Sequence, residues 1–356
     1  MKDENDKLRD GELPEDPRSG AEPVTPKAKA TAEDEARVHT LSGLLRGAHE
    51  RATTPRQARK ILTTGHWKID RDTGGFRPGH VWIFGAETNW GKSSFLTAVA
   101  DENLREGHKV LIVTVEDPPE MYGTRLYTRR VQANARNVEA GHLTLEERHR
   151  AASLQASNEP VLLDARDRSV EWAEKHARRL MLAENIDLVL FDYLHAFDSE
   201  KPRQGQGQER RMQVNYIART LTNVIKSLNR AGVIFAQITC EDGKKPTKYS
   251  IRDSRDVSNA AEVVALGWTP DVDQRRKERD EMTGRVTDGE VIAKAGQRCV
   301  IVDKNKSGPA KRLYSMNWNG DGAYFETVPR PMDERDEFFD GLTDGFEEPE
   351  RRYADP

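Results

Sequence analysis

The sequence predicts an α/β fold: a mainly parallel, twisted sheet with helices on both faces. Three observations predict it. Short, continuous apolar runs recur at 81–84, 110–115, 186–191, 233–236, 261–266 and 299–302, and strands buried on both faces read this way, whereas half-exposed strands alternate. Segments of helical character separate most of these runs, as crossovers between parallel strands require. The first run, Val81-Trp82-Ile83-Phe84, leads through Gly85-Ala86-Glu87-Thr88-Asn89-Trp90-Gly91-Lys92-Ser93-Ser94-Phe95 into a helical stretch. A strand, a loop ending in Gly-Lys-Ser and then a helix is the context of a phosphate-binding loop.

In such a loop the backbone amides and the helix N-terminus face the same way and make an anion site. Ala86, Glu87, Thr88, Asn89, Trp90, Gly91, Lys92, Ser93 and Ser94 are therefore expected to hold a nucleoside triphosphate. Lys92 would reach the β- and γ-phosphates, and the Ser93 hydroxyl would ligate Mg²⁺. Ala86 stands where the strict motif has its first glycine, with Gly85 one residue early; alanine is small enough for the turn.

The remaining elements follow in order. Thr73-Gly74-Gly75-Phe76-Arg77-Pro78-Gly79 is turn-rich and delivers the chain to the first strand. The helix after the loop runs to about 106, where Gly107 stops it. The second strand, 110–115, ends at Glu116, where a carboxylate can orient and deprotonate the water attacking a γ-phosphate. Residues 119–157 read as mostly helical and basic, 161–163 as a short strand and 170–184 as a helix. The strand at 186–192 closes on Asp192, placed to hold Mg²⁺ through water. A loop at 201–208 precedes an amphipathic helix at 210–230, and the strand at 233–237 ends in Gln237, whose amide can sense a γ-phosphate. Strands at 261–266 and 299–302 flank a charged insertion at 271–290, expected to be a hairpin or loop.

Composition bounds the rest. Residues 1–40 carry 11 acids and 7 bases, and residues 331–356 carry 10 acids and 3 bases, so a chain of net charge −4 has a body of about +7 between acidic ends. Proline and the lack of apolar periodicity make 1–40 a disordered acidic tail and 329–356 a disordered acidic-aromatic one, with 41–62 a short helical arm. Two cysteines, Cys240 and Cys299, exclude a disulfide framework and a cysteine zinc site. No apolar run approaches membrane-spanning length and no signal pattern opens the chain, so a cytoplasmic protein with no membrane partner is expected.

From about 63 to 328 the chain resembles the ATPase domain of DnaB-type replicative helicases, within the RecA-like superfamily. The resemblance rests on segments in one order: the 73–79 lead-in, Val113-Thr114-Val115-Glu116-Asp117-Pro118, Leu190-Phe191-Asp192-Tyr193-Leu194, the strand ending in Gln237, Ile251-Arg252-Asp253-Ser254 with Ala261-Glu262, and Val302-Asp303-Lys304-Asn305-Lys306-Ser307-Gly308-Pro309 with Trp318 and Phe325 beyond. It implies ATP as ligand, Glu116 as catalytic base, and Lys304 and Lys306 as cations reaching a neighbour's γ-phosphate. The family usually has arginine at Lys306; lysine supplies a point charge instead of a planar fork.

A site completed by a neighbour requires a head-to-tail interface, and the resemblance implies a homo-hexameric ring around single-stranded DNA. Its DNA-facing loops would carry Lys201 and Arg203 with Arg210 and Arg211 behind, and Lys244, Lys245 and Lys248. The family's primase-contacting N-terminal domain has no room in about 60 mostly polar residues. Small size and an acidic tail with Phe338, Phe339, Phe346 and Tyr353 suggest a phage protein whose tail docks a polymerase, primase or loader. The lysines also fit a RecA-like strand-exchange ATPase, and the short N-terminus an ATP-switched loader or scaffold.

Overall fold

The computed structural model describes residues 61–331 apart from 155–158, 201–208, 241–243, 252–256 and 280–285, together with six helical positions between 41 and 53. The chain divides into two units, 1–59 and 60–356. In the first, the described positions include Leu41 and Leu45, both exposed on helical backbone.

The second unit runs α1 (Trp67–Thr73), β1 (Val81–Ala86), α2 (Lys92–Arg105), β2 (Val110–Thr114), α3 (Pro119–Val131), α4 (Ala135–Glu139), α5 (Leu145–Ala152), β3 (Val161–Asp164), α6 (Val170–Ala183), β4 (Leu188–Asp192), α7 (Glu209–Ser227), β5 (Ala231–Gln237), α8 (Val257–Ala260), β6 (Val263–Trp268), β7 (Gln274–Arg279), β8 (Val286–Ala293), β9 (Cys299–Asn305), β10 (Arg312–Ser315), β11 (Trp318–Asn319) and β12 (Tyr324–Phe325). Eight strands form one sheet in the order β10-β9-β6-β1-β5-β4-β2-β3. The six from β6 to β3 are parallel; β9 and β10 add an antiparallel edge.

Continuous apolar runs suit this sheet because both faces are covered. Along β1 the side chains alternate: Val81 and Ile83 pack with Ala173, Val214 and Leu221 of α6 and α7, while Trp82 and Phe84 pack with Phe95, Leu96 and Val99 of α2. At roughly 25 cal/mol per Å² of apolar area, this two-sided burial is the main force fixing the sheet. Because the strands run parallel, the loops after β1, β2, β4 and β5 leave from one edge, where α/β sheets bind ligands.

Three boundaries differ from the sequence reading. Ala86 is the last residue of β1, in register with Gln237 and Gly267, so the loop proper starts at Glu87. The following helix starts at Lys92, three residues before Phe95. The stretch 119–157 holds three helices: Gln132 takes a left-handed φ of 54° after α3, and Asn134 and Thr144 cap α4 and α5. The charged insertion is the β7–β8 hairpin, a separate two-stranded sheet. Among the described residues no helix is long and apolar enough to cross a membrane.

Candidate active site

The loop after β1 is held open by two left-handed residues, Asn89 at φ 67° and Gly91 at φ 99°. Asparagine tolerates this region and glycine adopts it without steric cost. A Cβ at Gly91 would also lie 2.3 Å from the Arg298 guanidinium, the flexible end of a side chain that would have to shift. Glu87, Thr88 and Asn89 are exposed, whereas Trp90 is buried against Phe84, Phe95 and Phe325. α2 then begins at Lys92, and the N–H groups of its first turn, including Ser93 and Ser94, have no partner within the helix. Together with the helix dipole they make this helix N-terminus attractive to an anion.

Lys92 places its Nζ 3.8 Å from Asp192 Oδ1 and 3.5 Å from the centre of the Tyr193 ring. Burial lowers the Lys92 pKa, against the pull of Asp192, Glu116 and Asp117. Asp192 is 2% exposed. Its Oδ2 accepts a 2.7 Å hydrogen bond from the Tyr122 hydroxyl, while Oδ1 makes no hydrogen bond. Burial and then the Asp192 charge push the Tyr122 pKa upward, which keeps the phenol protonated as a donor. A buried carboxylate oxygen aimed at a lysine without a hydrogen bond is costly unless something completes it.

Glu116 follows β2 at the same edge, exposed, with its pKa raised first by burial and then by Asp117 and Asp192, against Lys92. Its neighbour Asp117 is tied to Arg125 at 2.8 Å. Gln237 ends β5, its Nε2 donating to Thr88 Oγ1 at 2.9 Å and its backbone N–H to His195 Nδ1 at 3.2 Å. The His195 carbonyl in turn accepts from Arg210 Nη2 at 2.7 Å, so one chain of contacts links the loop to the start of α7. Contacts join Lys92 to Asp192 and Thr88 to Gln237, with Glu116 close enough to act on Lys92 electrostatically.

Among the described residues no group of three or more His, Cys, Asp or Glu is arranged to hold a metal ion by itself. One carboxylate and one hydroxyl, Asp192 and Ser93, instead suit Mg²⁺, which keeps its waters and binds with substrate phosphates.

Lys304 and Lys306 stand elsewhere. Lys304 is level with Val264 and Ile83, and Asn305 with Val263 and Trp82. Three to four residues separate these levels from Ala86, about 10–13 Å down the sheet. Lys304 Nζ donates to the Ser258 carbonyl at 2.7 Å, and Lys306 pairs with Glu262 at 3.3 Å. They therefore sit away from the chain's own loop. Of the other basic residues, Arg210, Arg211, Lys244 and Lys245 are exposed and Lys248 is half-buried, its N–H donating to Asp303 at 2.8 Å. Lys201 and Arg203 lie outside the described residues, as do Arg252, Asp253 and Ser254.

Sequence reasoning missed the residues that brace this site. Tyr122 lies in a stretch that reads only as helical and basic. Arg298 stacks 3.5 Å over Trp318 and donates to the carbonyls of Trp90 and, at 3.4 Å, Asn89. It thus grips the loop from behind, from a position 208 residues away in sequence.

The chain matches the DnaB-like helicase C-terminal domain family over residues 62–327. It is similar to the replicative DNA helicase DnaB of Haemophilus influenzae (21% identical over 288 residues, 78% of this chain and 57% of that protein). The Helicobacter pylori DnaB is 22% identical over 295 residues, 75% of this chain and 59% of that protein. The chain thus spans little more than half the length of these curated relatives. Two solved structures share the fold at a TM-score of 0.64 and 17% identity. One is a separately solved ATPase domain, with 82% of this chain and 99% of that one covered. The other is a DnaB-like replicative helicase studied with primase, with 82% and 67% covered. The sheet is that of these two structures, and the chain belongs to the DnaB-like helicase C-terminal domain family.

Proposed function

We propose that this chain is an ATP-driven DNA helicase motor of replication, with residues 63–328 as the motor, 41–62 as an arm and 1–40 and 329–356 as tails. The observation that carries it is the Lys92–Asp192 pair, its Oδ1 without a hydrogen bond, beside Glu116 and Gln237 at the edge where the phosphate loop opens. Bound Mg-ATP supplies an electrophilic γ-phosphate whose developing charge needs neutralising. The amides of 87–94 cradle phosphate oxygens, and Lys92 leaves Asp192 to meet them. Ser93 and Asp192 would hold Mg²⁺, which would neutralise charge on the phosphates. Glu116 accepts the proton of the attacking water. Gln237 exchanges Thr88 for the γ-phosphate and passes its loss through His195 to Arg210 and the loop before α7.

Lys304 and Lys306, remote from their own loop, act on the nucleotide of the next subunit in a head-to-tail homo-hexamer. Single-stranded DNA passes over Arg210, Arg211, Lys244, Lys245 and Lys248, with Lys201 and Arg203 alongside. The acidic tail offers a contact for a polymerase, primase or loader, which fits a phage protein working in the host cytoplasm.

Electron microscopy with a non-hydrolysable ATP analogue and single-stranded DNA tests this, together with a strand-displacement assay. Closed six-fold rings and ATP-dependent unwinding are expected. Open helical filaments without unwinding would instead support a strand-exchange ATPase, the reading that paired lysines at 304 and 306 favour.

A further inference from the structure

A cleft of about 1090 Å³ opens between α1, β8 and β10, away from the candidate active site. Six cations line it, Lys68, Arg71, Lys245, Arg275, Lys311 and Arg312, against two carboxylates, Asp72 and Glu290. Asp72 is already consumed: it pairs with Arg71 and Arg312 at 2.9 and 3.0 Å and accepts from the Tyr314 hydroxyl at 2.8 Å. Among the described residues no carboxylate pairs with Lys68, Lys245, Arg275 or Lys311, all of them exposed. The cleft therefore presents unneutralised positive charge over a floor that includes Val291, Leu313 and Val328.

Pro329 and Pro331 line the same cleft. The last described residue of this stretch, Pro331, thus stands at the rim of the basic cleft. The next 25 residues, 332–356, carry ten acids and three bases, with Phe338 and Phe339 set inside the acidic run Asp333 to Asp340. Acids suit the lysines and arginines, and the aromatic pair suits the apolar floor. Phe338 lies seven residues past Pro331, within about 25 Å of it even when extended, so it can turn back into the cleft. Tethering raises the local concentration of the segment to the order of millimolar, enough for a weak contact to be populated.

We propose that this cleft is the docking site of the chain's own acidic-aromatic segment, residues 332–356. The proposal rests on charge and on where the segment starts, and shares with the DNA path proposed above only Lys245.

The test uses the full chain with benzoyl-phenylalanine in place of Phe338 or, separately, Phe346. After irradiation, crosslinks are mapped by mass spectrometry in a mixture of isotopically labelled and unlabelled chains. Crosslinks within one chain to 66–72, 290–292 and 311–315 are expected. They should be lost at ~0.5 M salt, where the screening length falls to a few ångströms. They should also be lost in the Lys68→Glu, Lys311→Glu double variant, whose thermal melt checks that it is folded. Crosslinks scattered over the body, formed between chains, or unchanged by the charge reversal would overturn the proposal. So would a photoreactive single-stranded oligonucleotide that labels these residues in the full chain while residues 338 and 346 do not, since that assigns the cleft to nucleic acid.

Discussion

The two ends of the parallel sheet treat their charges in opposite ways. At the loop end, Lys92 and Asp192 stand 3.8 Å apart, Oδ1 makes no hydrogen bond, and Glu116 has its pKa pushed up by burial. At the other end, Glu262 is saturated: it accepts from the Val81 N–H at 2.9 Å, from Lys226 at 2.9 Å and from Lys306 at 3.3 Å. Burial works against that carboxylate too, but these donors outweigh it and hold its pKa below the ordinary value. The contrast separates a carboxylate with one oxygen lacking a hydrogen bond from a node that ties β1, α7 and the end of β9 together. It also means that Lys306 must give up Glu262 before it can act on a neighbour.

The sharpest way to break this comparison is Glu116→Gln. Removing a general base costs on the order of 10²–10⁴ in rate, so hydrolysis should collapse in a phosphate-release assay while nucleotide binding by filter retention stays intact. The same residue sets a pH limb. Because burial raises its pKa, the basic form is lost, and the rate falls, at a pH above that of an ordinary glutamate. Another ionising group must be responsible if a residual rate in Glu116→Gln keeps that limb.

Tyr122→Phe comes next. It removes the donor to Oδ2, so that neither oxygen of a buried carboxylate accepts a hydrogen bond, which costs about 1–3 kcal/mol. A lower denaturation midpoint, together with weakened Mg²⁺-dependent nucleotide binding, is expected. An unchanged midpoint would show that Tyr122 does not support Asp192.

Arg298→Ala should weaken nucleotide binding by roughly tenfold, the size of one charged hydrogen bond of about 1.5–3 kcal/mol partly replaced by water. Hydrolysis at saturating nucleotide should change little, since Arg298 reaches the loop through its carbonyls. An equal loss in both would mean that it acts on the reaction itself.

The smallest effect belongs to Lys306→Ala. It removes one half-exposed ion pair worth about 0–1 kcal/mol, and Glu262 keeps Lys226 and Val81, so the thermal midpoint should barely move. Mixed into wild-type protein, however, it should depress hydrolysis beyond simple dilution; a linear loss would remove it from the neighbour's site. Glu262 gives this end its own pH signature. With a depressed pKa in the fold, its stabilisation is present above the unfolded glutamate pKa and is lost as pH falls through the folded one.

Much of this was legible in sequence because it is local. The four-residue apolar run 81–84 becomes the body of β1, Gly91 supplies the left-handed turn that a side chain would resist, and Asp192 closes the most apolar strand. Boundaries slipped where pairing decided them: Ala86 reads as loop but is drawn into β1 by Gln237 and Gly267 on either side. Trp90 reads as one more loop residue, yet it is buried by Phe325, more than 200 residues downstream.

By itself, the sequence determined what recurs at short range: the strand-loop-helix around Gly91-Lys92-Ser93, the carboxylates at strand ends, the basic body between acidic ends. Only the tertiary structure decided which side chains meet. Tyr122 reaches Asp192 across 70 residues and Arg298 reaches Trp90 across 208, while Lys304 and Lys306 fall well down the sheet from the chain's own phosphate loop. Periodicity and turn chemistry are written in neighbouring residues. Long-range contact depends on strand order and register, which no local pattern specifies.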